Sequence, residues 1–386
     1  MTINPDQLDK LIDTEFPFSR DYTFLNHAAV SPWPTRTAAA IKSFADENVL
    51  TGPIHYPRWM TVEQHLREQL SQLINAPSAG DIALLKNTSE GLSIIAYGLD
   101  WHSGDNIVIS DQEFPSNRIV WASLGDQGVE LREADILADA GPEAALEAAC
   151  DRNTRLMAIS SVQYASGLAL DLARLGRFCR THDILFCVDG IQSIGALQMD
   201  VQAIEADFVI ADGHKWMMAP EGLALFYCRA GLRKRLRLRQ FGWHMIENPT
   251  DFDQRDWRPA ESARRFECGS PNMLGIHGMS ASIGLILELG LPLIEHHVRA
   301  NRDYLAGQLR ALEEIEISAE GCDHGGIVAF RPVAIAVDVV YQRLQQRNII
   351  CAIRGGAIRF SAQFYTRKIQ LDQALEAVAE SLSPQD

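Results

Sequence analysis

The stretch Asp207-Phe-Val-Ile-Ala-Asp-Gly-His-Lys-Trp216 combines an apolar run with a lysine shortly after it. The run Asp207–Ala211 has four successive apolar residues, which predicts a strand covered on both faces of a sheet. Ligands bind beyond the carboxyl ends of strands in open α/β sheets, so Lys215 lies where a functional group is expected. A partly desolvated lysine loses proton affinity and can form a Schiff base, whereas a lone loop lysine is usually solvated.

Similar apolar runs recur on both sides of this stretch and alternate with helical patterns. The further predicted strands are 83–87, 106–110, 155–160, 184–189 and 223–228, and helix-like segments such as 142–149 and 171–181 lie between them. The alternation predicts an α/β fold with a mainly parallel, doubly wound sheet.

The rhythm changes at about residue 292. A helical stretch to residue 314 precedes short strands at 326–330 and 357–361, and a closing helix covers 371–382. Helices followed by a few strands predict a smaller α+β domain. We therefore expect a large domain over residues 21–291 and a small domain formed by residues 1–20 and 292–386.

Composition favours an enzyme over several other classes of protein. The chain has 386 residues and a net charge of -15, which argues against binding nucleic acid. The amino terminus does not resemble a signal peptide, and no stretch is apolar enough to predict a membrane span. Seven scattered cysteines indicate reduced thiols and a cytoplasmic location. No metal-binding spacing of His, Glu or Cys is present, so no metal is expected.

A carboxylate also ends a predicted strand, at Asp189 in Cys187-Val-Asp-Gly190. A buried carboxylate needs a cationic partner. Lys215 and Asp189 could hold a ring between them, with the lysine at an aldehyde carbon and the aspartate at a ring nitrogen, as pyridoxal phosphate (PLP) requires. The alternative is a structural aspartate that caps the next helix.

Hydroxyl side chains occupy a third strand end, in Asn87-Thr-Ser-Glu-Gly91. Thr88 and Ser89 stand at the start of a predicted helix, where backbone N–H groups and the helix dipole favour a phosphate. The alternative is a helix cap, because Thr and Ser are common at that position.

Taken together, these segments resemble the class V aminotransferase family, the cysteine-desulfurase-like branch of the fold-type I PLP enzymes. The resemblance covers nearly the whole chain and implies a seven-stranded type of sheet in the large domain. The matching segments, in order, are 24–32, 87–91, 113–121, 188–193, 212–222, 266–272 and 358–365.

The resemblance implies a role for individual residues around the cofactor. Lys215 would bind the cofactor aldehyde, and Asp189 would pair with the pyridine nitrogen. The other implied cofactor-binding residues are Gln192 at the phenolic oxygen, Phe114 stacked on the ring, and Thr88, Ser89 and His214 near the phosphate.

It also implies how substrate and subunits are arranged. Arg359 matches the carboxylate-binding arginine of the family, and Asn26 would join it in binding an amino-acid substrate. Ser270 matches a residue that reaches the phosphate from a neighbouring subunit, which implies a homodimer with shared active sites.

The sequence departs from the family pattern at several places, among them Thr366 in place of the Asn that usually follows the family's aromatic pair. Phe114 stands where desulfurases carry a stacking His, and residues 353–357 offer no mobile-loop Cys. Cys351 lies in an apolar run and is expected to pack as a small hydrophobe, so persulfide-based desulfuration is disfavoured. Asp212 replaces a phosphate-binding hydroxyl, and we expect its carboxylate to point away from the phosphate.

These observations favour a PLP-dependent aminotransferase acting on an amino acid. The same resemblance leaves lyase and epimerase chemistry open, because the bond that breaks is not fixed by any one residue type. An alternative from another class is a catalytically idle homodimeric scaffold. The substrate, the amino acceptor and the pathway are left open by the sequence.

Overall fold

The computed structural model describes residues 4–17 and 21–383. The strands in these ranges are β1 (Thr23–Phe24), β2 (Ile82–Leu85), β3 (Asn106–Ser110), β4 (Glu130–Ala134), β5 (Thr154–Ser160), β6 (Leu185–Asp189), β7 (Phe208–Asp212), β8 (Ala224–Cys228), β9 (Ile315–Ile317), β10 (Ile327–Pro332), β11 (Ile349–Ile350), β12 (Ala352–Arg354) and β13 (Ala357–Ser361). The α-helices are α1 (Pro5–Glu15), α2 (Thr35–Leu50), α3 (Tyr56–Leu73), α4 (Thr88–Gly98), α5 (Ser116–Ala122), α6 (Pro142–Ala148), α7 (Leu172–Thr181), α8 (Met273–Leu289), α9 (Leu291–Arg310), α10 (Val337–Gln346) and α11 (Lys368–Leu382).

A seven-stranded sheet forms the centre of the fold, in the order β2-β8-β7-β6-β5-β3-β4. Only β8 runs antiparallel to its neighbours, so the prediction of a mainly parallel sheet is confirmed. Successive residues of one strand belong to separate apolar clusters. Met157 belongs to the cluster that includes residues of α3, α7 and α8, whereas Leu156 belongs to the cluster that includes residues of α4. Both faces are therefore covered by helices, which explains why the strands read as continuous apolar runs.

Strand β4 was missed by the sequence reading. It lies at the edge of the sheet, and Glu130, Arg132 and Glu133 give it a charged pattern with little burial. Charged edge strands are common because they discourage pairing with other chains. The strand therefore shows no apolar periodicity from which it could have been predicted.

A second, four-stranded antiparallel sheet has the order β12-β13-β10-β9. Helices α9, α10 and α11 contribute to the apolar cluster on one of its faces. The predicted strands at 326–330 and 357–361 correspond to β10 and β13. Three short strands of this region, β9, β11 and β12, were not predicted.

The amino-terminal segment contacts both parts of the chain. Leu8 and Ile12 of α1 belong to the large apolar cluster, while Arg367 Nη2 lies 2.8 Å from Asp13 Oδ1. Strand β1 pairs in parallel with β11, although the predicted boundary puts it in the large domain. Residues 1–3, 18–20 and 384–386 of the predicted small domain lie outside the described residues, and the domain boundaries stay a prediction.

Within the described ranges, no single helix is long and apolar enough to cross a membrane. Helices α8 and α9 reach that length and composition only as a pair, which is bent by 87°.

Candidate active site

The carboxyl ends of β6 and β7 bring Asp189 and Lys215 to the same edge of the large sheet. The two strands are parallel neighbours, and Lys215 follows β7 by three residues. Lys215 Nζ lies 5.7 Å from the centroid of the Phe114 ring, and it makes no hydrogen bond or ion pair to any described residue. Burial lowers the pKa of Lys215 to about 8, although the Asp189 carboxylate acts in the opposite direction.

Asp189 is a buried carboxylate with one hydrogen bond, from the backbone N–H of Ile191 to Oδ1 at 3.0 Å. Burial raises the pKa of Asp189 to about 7, and the nearby Glu113 adds to this effect while Lys215 opposes it. A cationic ring nitrogen would hold such a carboxylate in its ionised form.

Phe114 presents its ring to the cleft and is 41% exposed. The edge of Tyr164 meets this ring at a centroid distance of 5.2 Å. A half-exposed aromatic face beside Lys215 is consistent with the predicted stacking on a cofactor ring.

The residue before Phe114 was not singled out from the sequence. Glu113 is buried, and it accepts hydrogen bonds from Ser160 N at 2.8 Å, from Asn117 Nδ2 at 2.9 Å and from Gln163 Nε2 at 3.2 Å. Burial raises the pKa of Glu113. The network fixes the backbone that carries Phe114. The only sequence signal was a charged residue at the start of the matching segment 113–121.

Gln192 is buried, and its amide already has two protein partners. Nε2 donates to Ala28 O at 3.1 Å, and Oε1 accepts from Trp216 Nε1 at 2.9 Å. One Nε2 hydrogen is left that could bond to the phenolic oxygen of a cofactor. That contact stays a prediction.

The first turn of α4 carries Thr88 and Ser89, as the predicted phosphate site requires. Asn87 caps this helix instead, because its Oδ1 accepts from Glu90 N at 2.9 Å. Neither Thr88 nor Ser89 therefore caps this helix, which was the alternative to a phosphate-binding role. Ser89 Oγ donates to Ser116 Oγ at 2.9 Å.

Asp212 does not point away from this helix, contrary to expectation. Its Oδ1 accepts a hydrogen bond from Thr88 N at 2.6 Å, and its Oδ2 lies 3.7 Å from His214 Nδ1. Burial raises the pKa of Asp212 to about 6 and lowers the pKa of His214. A carboxylate thus lies next to the backbone groups expected to bind phosphate.

Ser270 lines a groove of about 800 Å³ together with Asp212 and His214 of the same chain. It is exposed in a loop before α8. Its predicted contact across a subunit boundary stays a prediction.

Arg359 lies on β13 and is almost completely buried. Nη1 donates to Tyr164 O at 2.7 Å, and Nη2 lies 3.5 Å from Asn26 Oδ1. The Nε atom is buried without a partner among the described residues. Burial lowers the pKa of Arg359 to about 10, and the nearby Arg354 acts in the same direction.

Taken together, these side chains fit PLP. Among the described residues, Asp189 forms no ion pair, Lys215 Nζ has no hydrogen-bond partner, and Arg359 Nε has a hydrogen-bonding capacity that is not met. A ring bound through Lys215 and Asp189, with a substrate carboxylate at Arg359, would satisfy all three.

One further cluster contains potential metal ligands. Ligand atoms of Glu63, His244 and Glu267 lie within 4.8 Å of one another. Arg67 donates to both carboxylates, with Nη2 at 2.8 Å from Glu267 Oε2. The positive charge of Arg67 already balances part of the negative charge of the two carboxylates. The expectation that the protein binds no metal stays a prediction.

Comparison with known proteins gives a consistent set of relatives. The Aminotransferase class-V family profile matches residues 23–375. A probable cysteine desulfurase of Methanothermobacter thermautotrophicus is 29% identical over 95% of this chain and 96% of its own length. A cysteine desulfurase of Salmonella newport is 31% identical, over 69% of this chain and 66% of its own.

Solved structures show the same fold. The apo cysteine desulfurase of Thermococcus onnurineus superposes with a TM-score of 0.86 at 24% identity, covering 98% of each chain. The cystine C-S lyase C-DES, solved with its product cysteine persulfide, has a TM-score of 0.88 at 24% identity, covering 95% of this chain and 99% of its own.

Proposed function

Because the chain belongs to the class V aminotransferase family, whose fold is that of fold-type I PLP enzymes, we propose that it is a PLP-dependent aminotransferase acting on an amino acid. The observation that carries the proposal is the desolvated Nζ of Lys215, which lies 5.7 Å from the centroid of the Phe114 ring and is influenced by the charge of Asp189. A lysine whose pKa is lowered to about 8 has a substantial neutral fraction near pH 7, so its amine can act as a base.

In this mechanism each residue acts at a defined atom. Arg359 binds the substrate carboxylate with its guanidinium fork, and Asn26 Oδ1 helps to orient that fork. Lys215 Nζ accepts the proton from the substrate Cα. Asp189 would hold the pyridine nitrogen of the cofactor protonated, because its carboxylate can pair with that cation. When bound, PLP supplies an electron sink for the electrons released at Cα.

The cysteine nearest in sequence to the Arg359 strand is poorly suited to carry a persulfide. Cys351 is buried, and burial raises the pKa of its thiol to about 12. Gly355 and Gly356 connect β12 to β13 in a two-residue turn, with φ values of 55° and 70°. Glycine is favoured at both positions because φ is positive. This short hairpin has no room for a cysteine-bearing loop.

The second candidate is a C–S lyase. It is supported by the desulfurase names of the relatives at 29–31% identity. C–S cleavage without a nucleophilic cysteine would proceed by elimination of the β-substituent, with Lys215 again acting as the base. Epimerisation would need the same residues.

We also propose a cytoplasmic homodimer. Val49, Leu50 and Ile54 around the end of α2 are 84%, 80% and 71% exposed, and adjacent exposed apolar side chains are typical of an interaction surface. Light scattering during gel filtration should give twice the monomer mass. A monomer would contradict this part of the proposal.

The test of the function combines cofactor attachment with product analysis. Reduction of the holoenzyme with borohydride should fix PLP to the peptide that contains Lys215, as read by mass spectrometry. Lys215→Ala should lose this adduct and the visible absorption of bound cofactor, whereas Lys234→Ala, on the surface, should keep both.

An amino-acid panel then separates the reactions. Keto acid formed with the amino group retained on the cofactor indicates transamination. Ammonia together with sulfide indicates lyase chemistry, and a mixture of enantiomers indicates epimerisation. If no amino acid gives a product, the proposal is contradicted and the interpretation as a catalytically idle scaffold remains.

A further inference from the structure

Arg354 and Arg359 project from one face of the small sheet. Ala352 pairs with Arg359 and Arg354 pairs with Ala357, so all four side chains project from the same face. Arg354 and Arg359 are diagonal neighbours, which in an antiparallel pair lie roughly 7–8 Å apart. Ala352 and Ala357, on the other diagonal, are small and buried. The opposite face carries Ile358 and other members of the apolar cluster.

Neither guanidinium meets a carboxylate. Among the described residues, Arg359 contacts only the Tyr164 carbonyl and Asn26, and Arg354 Nη1 donates to the carbonyl of Ile353 at 2.8 Å. Arg359 is 2% exposed and its Nε is unpartnered, whereas Arg354 is exposed. One buried and one accessible cation thus stand side by side without a counter-ion.

The charge of Arg354 acts on the centre of the cleft. It lowers the pKa of Arg359 and also that of Lys215. These directions agree with the strand register, which places Arg354 and Arg359 on one face of the sheet. Arg331, the third arginine of this face, instead donates to the carbonyls of Gly355 and Gly356 and fixes the turn next to Arg354.

Glu316 is the carboxylate on this face, since it pairs with Arg331 across β9 and β10. It forms no ion pair with a described arginine. The substrate side of the cleft therefore keeps a surplus of positive charge. One α-carboxylate at Arg359 would leave the surplus at Arg354 in place.

We propose that Arg354 binds a second acidic group, so that the substrate is an amino acid with a carboxylate side chain. This inference rests on the proposed function: Arg359 binds the α-carboxylate, and Arg354 binds the distal carboxylate at the mouth of the cleft. The planar fork of each arginine suits a carboxylate.

The first experiment avoids turnover altogether. Calorimetric titration of the holoenzyme compares succinate and glutarate, which carry two carboxylates, with propionate and butyrate, which carry one. We expect the diacids to bind about tenfold more tightly, as a charge-assisted contact implies. Equal affinity for diacids and monoacids overturns the inference, even if the enzyme transaminates other amino acids.

Variants assign the effect to the residue. Arg354→Gln should lose about tenfold in affinity for the diacids and leave the monoacids unchanged, and Arg354→Lys should recover part of the loss. Arg310→Gln, an exposed arginine of the same domain that pairs with Glu320, should change neither. Equal losses for diacids and monoacids in Arg354→Gln would contradict a distal contact.

Turnover then separates the two proposals. Aspartate and glutamate should change the spectrum of bound cofactor at lower concentration than asparagine and glutamine, and Arg354→Gln should abolish that preference. Turnover without preference for acids defeats only the inference. Selective diacid binding without any product defeats only the proposed function.

Discussion

At the scale of single residues, Asp212 is the largest departure from the expected phosphate site. Its carboxylate accepts from Thr88 N, one of the backbone donors at the start of α4 that would otherwise face an anion. Lys215 and Glu221 are the other charged groups that influence its pKa, and His214 Nδ1 lies 3.7 Å away. An ionised Asp212 repels phosphate, whereas a protonated one can donate a hydrogen bond to it.

We therefore expect Asp212→Ser to bind PLP more tightly at pH 8, by roughly tenfold or ~1.4 kcal/mol. At pH 5.5, below the pKa of about 6, the wild-type carboxyl is mostly protonated and the two proteins should bind PLP alike. Equilibrium titration followed by absorbance measures the ratio at each pH, and Asp126→Ser on the surface is the control. A ratio that does not change with pH would contradict this role.

His27 links pH to stability. It is fully buried, with Nδ1 at 2.8 Å from Ser361 O and Nε2 at 2.9 Å from the Tyr365 hydroxyl, and burial lowers its pKa to about 4. Between pH 6.5 and 4 only the unfolded chain takes up this proton, so the free energy of unfolding should fall as the pH falls. The contribution is roughly 3 kcal/mol.

Urea denaturation at several pH values measures this dependence. His27→Gln should be less stable at pH 7 but should show a flatter fall between pH 6.5 and 4. An unchanged slope would assign the pH dependence to other groups.

At the scale of elements, helix α7 packs closely on the chain that precedes β7. A Cβ added to Gly176 would collide with the carbonyl oxygen of Ile204. We expect Gly176→Ala to lower the free energy of unfolding by roughly 2–4 kcal/mol, because the helix must shift away from the backbone. The matched control is Gly307→Ala in α9, where nothing lies within 4 Å of the added Cβ.

That control should stabilise the protein by roughly 0.5–1 kcal/mol, since alanine is the better helix former. Thermal and denaturant unfolding of both variants distinguish the two signs. A Gly176→Ala protein as stable as the wild type would show that the contact is loose.

Elements also show where sequence reasoning succeeds. Lys215 and Asp189 were located because buried parallel strands give continuous apolar runs, and the functional residue follows the end of each run. Arg354 was overlooked because β12 has three residues, too few to reveal an alternation. The acceptor role of Asp212 depends on Thr88, which is distant in the sequence, so no local pattern could indicate it.

At the scale of the whole molecule, a buried ion cluster joins distant parts of the chain. Arg67 of α3 donates to Glu63 and to Glu267, and Nη1 also donates to the carbonyl of Ile82 in β2 at 3.0 Å. Glu267 lies three residues before Ser270. The cluster therefore connects a helix and an edge strand to the loop of Ser270, which borders the groove lined by Asp212 and His214.

Replacing Arg67 by methionine should deprive two buried carboxylates of the guanidinium that pairs with them, with His244 as their remaining neighbour, and destabilise the protein by roughly 3–5 kcal/mol. Arg58→Met, an exposed arginine of the same helix, should change stability by about 0.5 kcal/mol or less. Denaturant unfolding of the two variants measures the difference. Similar values for both would show that the cluster does not hold the fold together.

The two-glycine turn between β12 and β13 also bears on how any product leaves. A turn of this length offers no flexible arm at this point that could carry a sulfur atom to a protein acceptor. On the proposed function, a fragment cut from the substrate would therefore leave the cleft as a small molecule, past the exposed Arg354.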